Sequence, residues 1–344
     1  MNAFAEFFRE AGATGAEPDG HEPYGYQARM AREGLPPVVE APTGTGKTAI
    51  ILSWLWRRLY ADPGSTPRRL VYALPQRSLV EQVAGQAARW LANLGLADQV
   101  ALHVVTGGAG ESRPDWRMDM HKPAIVIGTV DSLVSKALNR GYGIGRSSCP
   151  IDYALVTNGA HWVIDEIQLC EESSTTLRQL AAFVKAWGTA EPFGLTCMSA
   201  TVPESSPETV DNPVRDVVGI LPGERTGELA VRLGAERTIR RLDARPGDYR
   251  AIAAAARDRH RAGTLTLVVL NTVEAARAVY QALRRGPVEC TLLHSEFRAL
   301  ERAELMATVT GHPEDRIMVT TQVVEAGLDL SAAVLMTEAV PWPS

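Results

Sequence analysis

The sequence predicts an α/β protein made of two parallel-sheet units, and three observations carry that expectation. Short apolar runs alternate with amphipathic stretches along nearly the whole chain, the pattern of strands joined by crossover helices. A glycine-rich loop, Ala41-Pro42-Thr43-Gly44-Thr45-Gly46-Lys47-Thr48, follows one apolar run and opens a helical one. The length, 344 residues, exceeds what one ordinary hydrophobic core organises.

In the first unit the apolar runs place strands over 38–41, 70–74, 101–105, 125–127, 162–165 and 195–198. Between them, apolar residues recur three and four positions apart over 48–60, 78–94 and 173–187, the spacing of helices that cover a sheet. The stretch 203–246 is rich in Pro, Gly, Asp, Glu and Arg and keeps no period, so the junction between units is expected within it. Strands then recur over 265–270, 291–293, 317–320 and 333–337, with helices over 273–285 and 300–309. The expected organisation is an amino-terminal arm over 1–22, a first domain over 23–225 and a second over 226–344.

Composition restricts the function classes. A hydrophobic share of 45% and a charged share of 22% are those of an ordinary globular protein. The formal charge of −5 excludes a uniformly basic surface, so any nucleic-acid site must be a local groove. Cys149, Cys170, Cys197 and Cys290 are scattered without a Cys-x-x-Cys pair, which disfavours a zinc site or a disulfide framework and points to the reducing cytoplasm. No stretch approaches the roughly 20 apolar residues of a membrane span, so no membrane association is expected.

The glycine-rich loop carries the chemistry. Gly44 and Gly46 let the backbone wrap inward so that successive N–H groups face phosphate oxygens at the start of a helix. Thr43 and Thr45 complete the loop, Lys47 is placed to reach the β- and γ-phosphates, and the Thr48 hydroxyl to ligate magnesium. Upstream, Gln27 can donate to and accept from an adenine edge at once, and Tyr24 or Tyr26 could stack on the base, which favours ATP. A buried run, His161-Trp162-Val163-Ile164, delivers Asp165 and Glu166 at its carboxyl end. Asp165 is expected to hold magnesium and Glu166 to orient and deprotonate the attacking water. After another apolar run, the hydroxyls of Ser199 and Thr201 are positioned to bond Gln168 and sense the nucleotide site.

Taken in order with Leu74-Pro75-Gln76-Arg77, Gly128-Thr129-Val130-Asp131, Asn271-Thr272, His294-Ser295-Glu296-Phe297-Arg298 and the segment 320–329, these motifs resemble a superfamily 2 helicase. Tyr24-Gly25-Tyr26-Gln27, Asp165-Glu166-Ile167-Gln168, Trp54-Leu55-Trp56-Arg57-Arg58, Gly327-Leu328-Asp329-Leu330 and Pro341-Trp342-Pro343-Ser344 resemble more narrowly the helicase of type I CRISPR systems, closest to the I-G branch. The resemblance implies two RecA-like domains, the second incomplete, and ATP hydrolysis coupled to movement on single-stranded DNA opened by a surveillance complex. It further implies that Pro75, Arg77, Thr129, Asp131, Thr272, His294, Arg298 and Thr321 line the DNA path, that Gly327 and Asp329 meet the nucleotide from the second domain, and that Gln168 belongs to the catalytic set. From the residues alone, Thr129 and Asp131 could equally cap the following helix, and His294 could be a core or turn histidine.

The same family carries a glutamine- and arginine-rich motif beyond Pro-Trp-Pro-Ser and a fused HD nuclease. Neither is found in the 344 residues, which leads to the expectation of a carboxy-terminal truncation. Two other readings stay open at this stage: a different superfamily 2 motor acting on DNA or RNA, and a catalytically inactive ATP-binding module that docks on a partner.

Overall fold

The computed structural model describes residues 3–14, 19–106, 116–141, 144–200, 209–210, 217–235, 238–245, 247–298, 301, 304–305, 308–309, 315–321 and 332–338. The chain forms two compact units, Met1–Glu236 and Arg237–Ser344.

In the first unit, the helices α1 (Ala3–Gly12) and α2 (Gly25–Glu33) precede the strand β1 (Val38–Glu40). There follow α3 (Ile50–Trp56), β2 (Arg69–Leu74), α4 (Arg77–Asn93), β3 (Ala101–Val105), β4 (Ala124–Thr129), α5 (Val130–Ala137), α6 (Cys149–Thr157), β5 (Ala160–Ile164), α7 (Glu171–Trp187), β6 (Gly194–Ser199), β7 (Val217–Gly219) and α8 (Gly227–Leu233). The strands form one sheet in the order β3-β4-β2-β5-β6-β1-β7, and every recorded pairing is parallel. The central strands β2 and β5 are buried along their whole length, as expected of a sheet covered on both faces. One core lies around Trp54, Leu70, Tyr72 and Trp90, the other around Val71, Leu133, Trp162 and Leu177.

The second unit has α9 (Tyr249–Arg259), β8 (Leu265–Leu270), α10 (Val273–Leu283), β9 (Glu289–Leu293), β10 (Arg316–Thr321) and β11 (Val334–Thr337). Its sheet runs β11-β8-β10-β9, again with parallel pairings.

The ten strands read from the sequence all form, with β3 and β8 at the expected bounds. The helix expected over 48–60 is less regular. It starts as a 3-10 turn at Lys47–Ala49 and ends in π geometry at Arg57–Ala61, where Arg57 reaches the carbonyls of Ala31 and Arg32. The arm forms α1, whose Phe4 and Phe7 are buried and whose Phe7 packs on Trp56 at 5.4 Å. The sequence reading did not anticipate α6, β7, α8 or α9. A three-residue strand has no measurable period, and α9 is built largely of alanine, which carries little apolar signal. α8 lies in the first compact unit, although the second domain had been expected to begin at 226.

Candidate nucleotide site

In a parallel sheet, loops at the carboxyl ends of neighbouring strands share one edge, and ligands bind there. The glycine-rich loop leaves β1, Asp165 follows β5, Ser199 ends β6 and Pro75 follows β2. β5 lies between β2 and β6, and β6 beside β1, so the order of the sheet brings these distant segments together. Two backbone bonds fix the register at the edge: Ala41 N–H to Ser199 O at 3.0 Å, and Asp165 N–H to Ala73 O at 3.0 Å.

The loop turns on two left-handed glycines, Gly44 at φ 78° and Gly46 at φ 74°. A Cβ on Gly46 would lie 2.8 Å from Gln27 Nε2, so glycine is required there for close approach as well as for conformation. Three successive loop carbonyls accept side-chain bonds: Gly44 O from Arg232 Nη1 at 2.8 Å, Thr45 O from the Tyr26 hydroxyl at 2.7 Å, and Gly46 O from Gln27 Nε2 at 2.9 Å. In a trans peptide the carbonyl and the next N–H point in opposite directions. The loop therefore turns these carbonyls to the protein and directs the N–H groups of Gly46 and Lys47 away from these partners, while Thr45 N–H bonds Pro42 O at 3.4 Å. Thr45 Oγ1 closes the turn by donating to Pro42 O at 2.6 Å, while Thr43 is exposed.

This geometry corrects part of the adenine reading. Tyr26 is 1% exposed and its ring is core, which removes it as a stacking surface and leaves Tyr24, half-buried at the loop, in that role. Gln27 is also buried, and its Oε1 accepts from Tyr24 N–H at 2.8 Å. Its Nε2 holds the loop and its Oε1 caps the start of α2, so both ends of the amide are used within the protein.

Across the edge, Glu166 takes a left-handed conformation, φ 51° and ψ 53°, rare for a residue with a side chain and a sign of local backbone strain. The turn sends the adjacent carboxylates to different partners. Glu166 Oε1 accepts from Lys47 Nζ at 3.0 Å and Oε2 from Gln168 Nε2 at 2.6 Å. Gln168 Oε1 accepts from Ser199 Oγ at 2.8 Å, so the bond expected between these two residues is present. Asp165 is buried; its Oδ2 accepts from the Tyr72 hydroxyl at 2.7 Å and its Oδ1 from Glu166 N–H at 2.9 Å. Burial pushes the Asp165 carboxyl above its ordinary pKa, and the Lys47 ammonium beside it pulls the other way. Burial drives the Tyr72 phenol well above its usual range, and the Thr48 hydroxyl pulls the other way.

Tyr72 and Arg232 were not singled out from the sequence. Tyr72 sits within an apolar strand with no motif to mark it, and Arg232 is 188 residues from the loop it touches. Thr201, Gly327 and Asp329 lie outside the described residues.

The residues assigned to the DNA path occupy strand ends and helix starts in their own units. Pro75 is half-buried and Arg77 exposed, with Arg77 Nη2 donating to Thr106 Oγ1 at 3.2 Å. Thr129 is the residue before α5 and donates to Ser132 Oγ at 2.8 Å; exposed Asp131 accepts from Ser173 Oγ at 3.4 Å. Thr272 caps α10, accepting from Ala275 N–H at 3.1 Å. Arg298 is exposed, and Thr321 is buried at the end of β10. His294 is a turn histidine: it is 4% exposed, packs on Phe297 at 4.6 Å and accepts from Glu296 N–H. Burial, reinforced by Arg277, holds its imidazole below the ordinary pKa. A buried, neutral ring of this kind is a poor phosphate contact.

Comparison with known proteins agrees with this geometry. The DEAD/DEAH box helicase family matches residues 26–210, and the carboxy-terminal family described as CRISPR-associated nuclease/helicase Cas3 matches residues 262–344. The chain is 26% identical over 319 residues to the CRISPR-associated helicase Cas3 of Thermoproteus tenax, covering 88% of this chain and 51% of that protein, so it spans about half the length of this relative. The structure of T. fusca Cas3 with ATP superposes with a TM-score of 0.64 at 19% identity, over 99% of this chain and 44% of the other. The DUF1998 helicase MrfA bound to DNA gives a TM-score of 0.69 at 16% identity, over 99% of this chain and 48% of the other. At such identities these structures establish the fold, and both parallel sheets are RecA-like, as the sequence resemblance implied. With the phosphate-loop lysine, the paired acids and the glutamine joined at one sheet edge, and with a family match over more than half its length, the chain belongs to the DEAD/DEAH box helicases.

Proposed function

We propose that the chain is the ATP-driven motor of a CRISPR-interference helicase, moving along single-stranded DNA that a surveillance complex has opened. The observation that carries this reading is the hydrogen-bonded line Lys47, Glu166, Gln168, Ser199, which links the phosphate loop to the end of β6 through side chains alone. The Cas3-type match over 262–344 and the likeness to the T. tenax helicase support the CRISPR setting, and within it the sequence motifs favour the I-G branch. Four free cysteines suit a cytoplasmic protein; among the described residues no helix is long and apolar enough to cross a membrane.

The residues fit ATP with magnesium. The N–H groups of Gly46 and Lys47, turned away from the side chains that hold the loop carbonyls, suit a polyphosphate, and Tyr24 lies beside Gly46. Asp165 and Thr48 would hold a magnesium ion beside the phosphates, through a carboxylate and a hydroxyl. It would supply charge neutralisation on the phosphates. Without nucleotide, Lys47 is neutralised by Glu166. A triphosphate competes for the ammonium, which releases Glu166 Oε1 to accept a proton from the attacking water. Gln168 reports that change to Ser199. By the same reading the first unit is the ATP-binding lobe and the second, whose sequence contains Gly327 and Asp329, is the carboxy-terminal lobe. Pro75, Arg77, Thr129 and Asp131 of the first lobe, with Thr272, Arg298 and Thr321 of the second, track the DNA backbone through hydroxyls and guanidinium groups, which needs no basic net charge.

The test is ATP turnover with single-stranded DNA, RNA of the same length, or neither. Stimulation by DNA above RNA is expected; turnover indifferent to DNA would overturn the reading.

A further inference from the structure

β7 pairs with β1 at Val38, Val39 and Glu40, on the side of β1 away from β6. The chain then turns at Pro222–Glu224 and continues as α8, whose Arg232 reaches the phosphate loop. This strap is fastened to α2. Glu224 accepts two bonds from Arg29, at 3.0 and 3.1 Å, and Arg29 also donates to Gly219 O at 2.8 Å. Gly25 permits the fastening, since a Cβ there would lie 2.7 Å from Glu224 Cγ. Leu229 anchors α8 from below at 0% exposure.

At the end of α8, Arg232 contacts both Glu228 and the loop. Nε and Nη2 hold Glu228 Oε1 at 3.3 and 2.7 Å, and Nη1 donates to Gly44 O at 2.8 Å. The glutamate fixes the guanidinium plane and offsets its charge, so the contact that remains directional is the one to the loop. Of the three successive carbonyls of Gly44, Thr45 and Gly46, two are held by α2 and one by this strap.

We propose that Arg232 is a positioning residue of the nucleotide site, pinning Gly44 O from outside so that the loop is already set to receive a triphosphate. The proposal rests on the nucleotide reading of the loop and extends that site to a segment no motif marks. Because the pin acts on the cradle and not on the base, its loss weakens ATP and inorganic tripolyphosphate alike.

The experiment is a binding titration of the whole chain with Mg-ATP and with Mg-tripolyphosphate, at low and high salt, for wild type, Arg232→Ala and Lys47→Ala. Arg232→Ala is expected to raise Kd about five- to tenfold for both ligands, the loss of one charge-assisted bond at an exposed site. The factor should persist at high salt, where a mere field effect would be screened. Arg232 is exposed, and thermal melting of the variant checks that the fold is kept. An Arg232→Ala Kd within twofold of wild type, a loss confined to ATP, or a loss that vanishes at high salt each overturns the pin. If wild type binds Mg-ATP no better than Lys47→Ala, the nucleotide reading itself fails, a result distinct from any of these.

Discussion

Lys47 and Glu166 are 119 positions apart in the chain and 3.0 Å apart in the fold, each the other's counter-ion. The side chains are 7% and 20% exposed, so the pair is poorly screened by solvent, and each group sets what the other can do. Removing the negative charge with Glu166→Gln frees the lysine for phosphate while deleting the base. Mg-ATP should bind at least as tightly as to wild type, and turnover should fall by ~10²–10⁴. Equilibrium binding and single-turnover hydrolysis on one preparation check both; weaker binding would show that the pair does not compete with nucleotide.

Tyr72 orients the carboxylate assigned to magnesium. Its hydroxyl donates to Asp165 Oδ2 at 2.7 Å within a fully buried strand. Tyr72→Phe keeps the ring and leaves that oxygen without its donor, at a cost of about 1–3 kcal/mol in stability. The magnesium concentration for half-maximal turnover should rise while nucleotide affinity without metal stays unchanged. A denaturation curve and a magnesium titration separate the two effects, and an unaltered magnesium requirement would make Tyr72 purely structural.

Ser199 ends the hydrogen-bonded line that starts at Lys47. Ser199→Ala removes the 2.8 Å bond to Gln168 Oε1 without touching the phosphate loop. Basal turnover should change by less than about tenfold, the cost of one neutral bond, whereas strand separation per ATP should drop much further. Parallel ATPase and unwinding assays report the ratio. A proportional fall in both would place Ser199 in the chemistry and not in its coupling.

His161 gives the fold a dependence on pH. Its ring is buried, with Nε2 2.8 Å from Thr196 Oγ1, and burial holds the imidazole down at about 3 from 6.5. Between those values the unfolded chain binds the extra proton and the folded chain does not, so stability falls as pH drops below 6.5. The contribution reaches at most about 1.4 kcal/mol per pH unit. Denaturant midpoints between about pH 5 and pH 6.5 should slope less steeply in His161→Gln than in wild type; equal slopes would exclude this residue as the cause.

The candidate residues that follow β1, β5 and β6 were legible because they sit where a strand becomes a loop, and that transition is a local pattern. Val38 to Glu40 before the glycines, and Ala160 to Ile164 before Asp165, announce themselves by apolar runs that stop abruptly. What a residue does after the stop was less legible. Tyr24 and Tyr26 are alike as letters, and only packing shows one ring at the loop and the other beneath it. Thr272 reads equally as a backbone contact or a cap, and the structure shows the cap bond.

The sequence by itself determined the fold class, the strands and the phosphate loop with its acids, since periodicity, glycine placement and spacing are properties of neighbouring residues. Tertiary structure alone decided which groups meet: Lys47 with Glu166, Tyr72 with Asp165, Arg232 with Gly44. Those meetings follow from the order of strands in the sheet and from the path of α8, which arise from burial summed over the whole core and leave no mark at any single position.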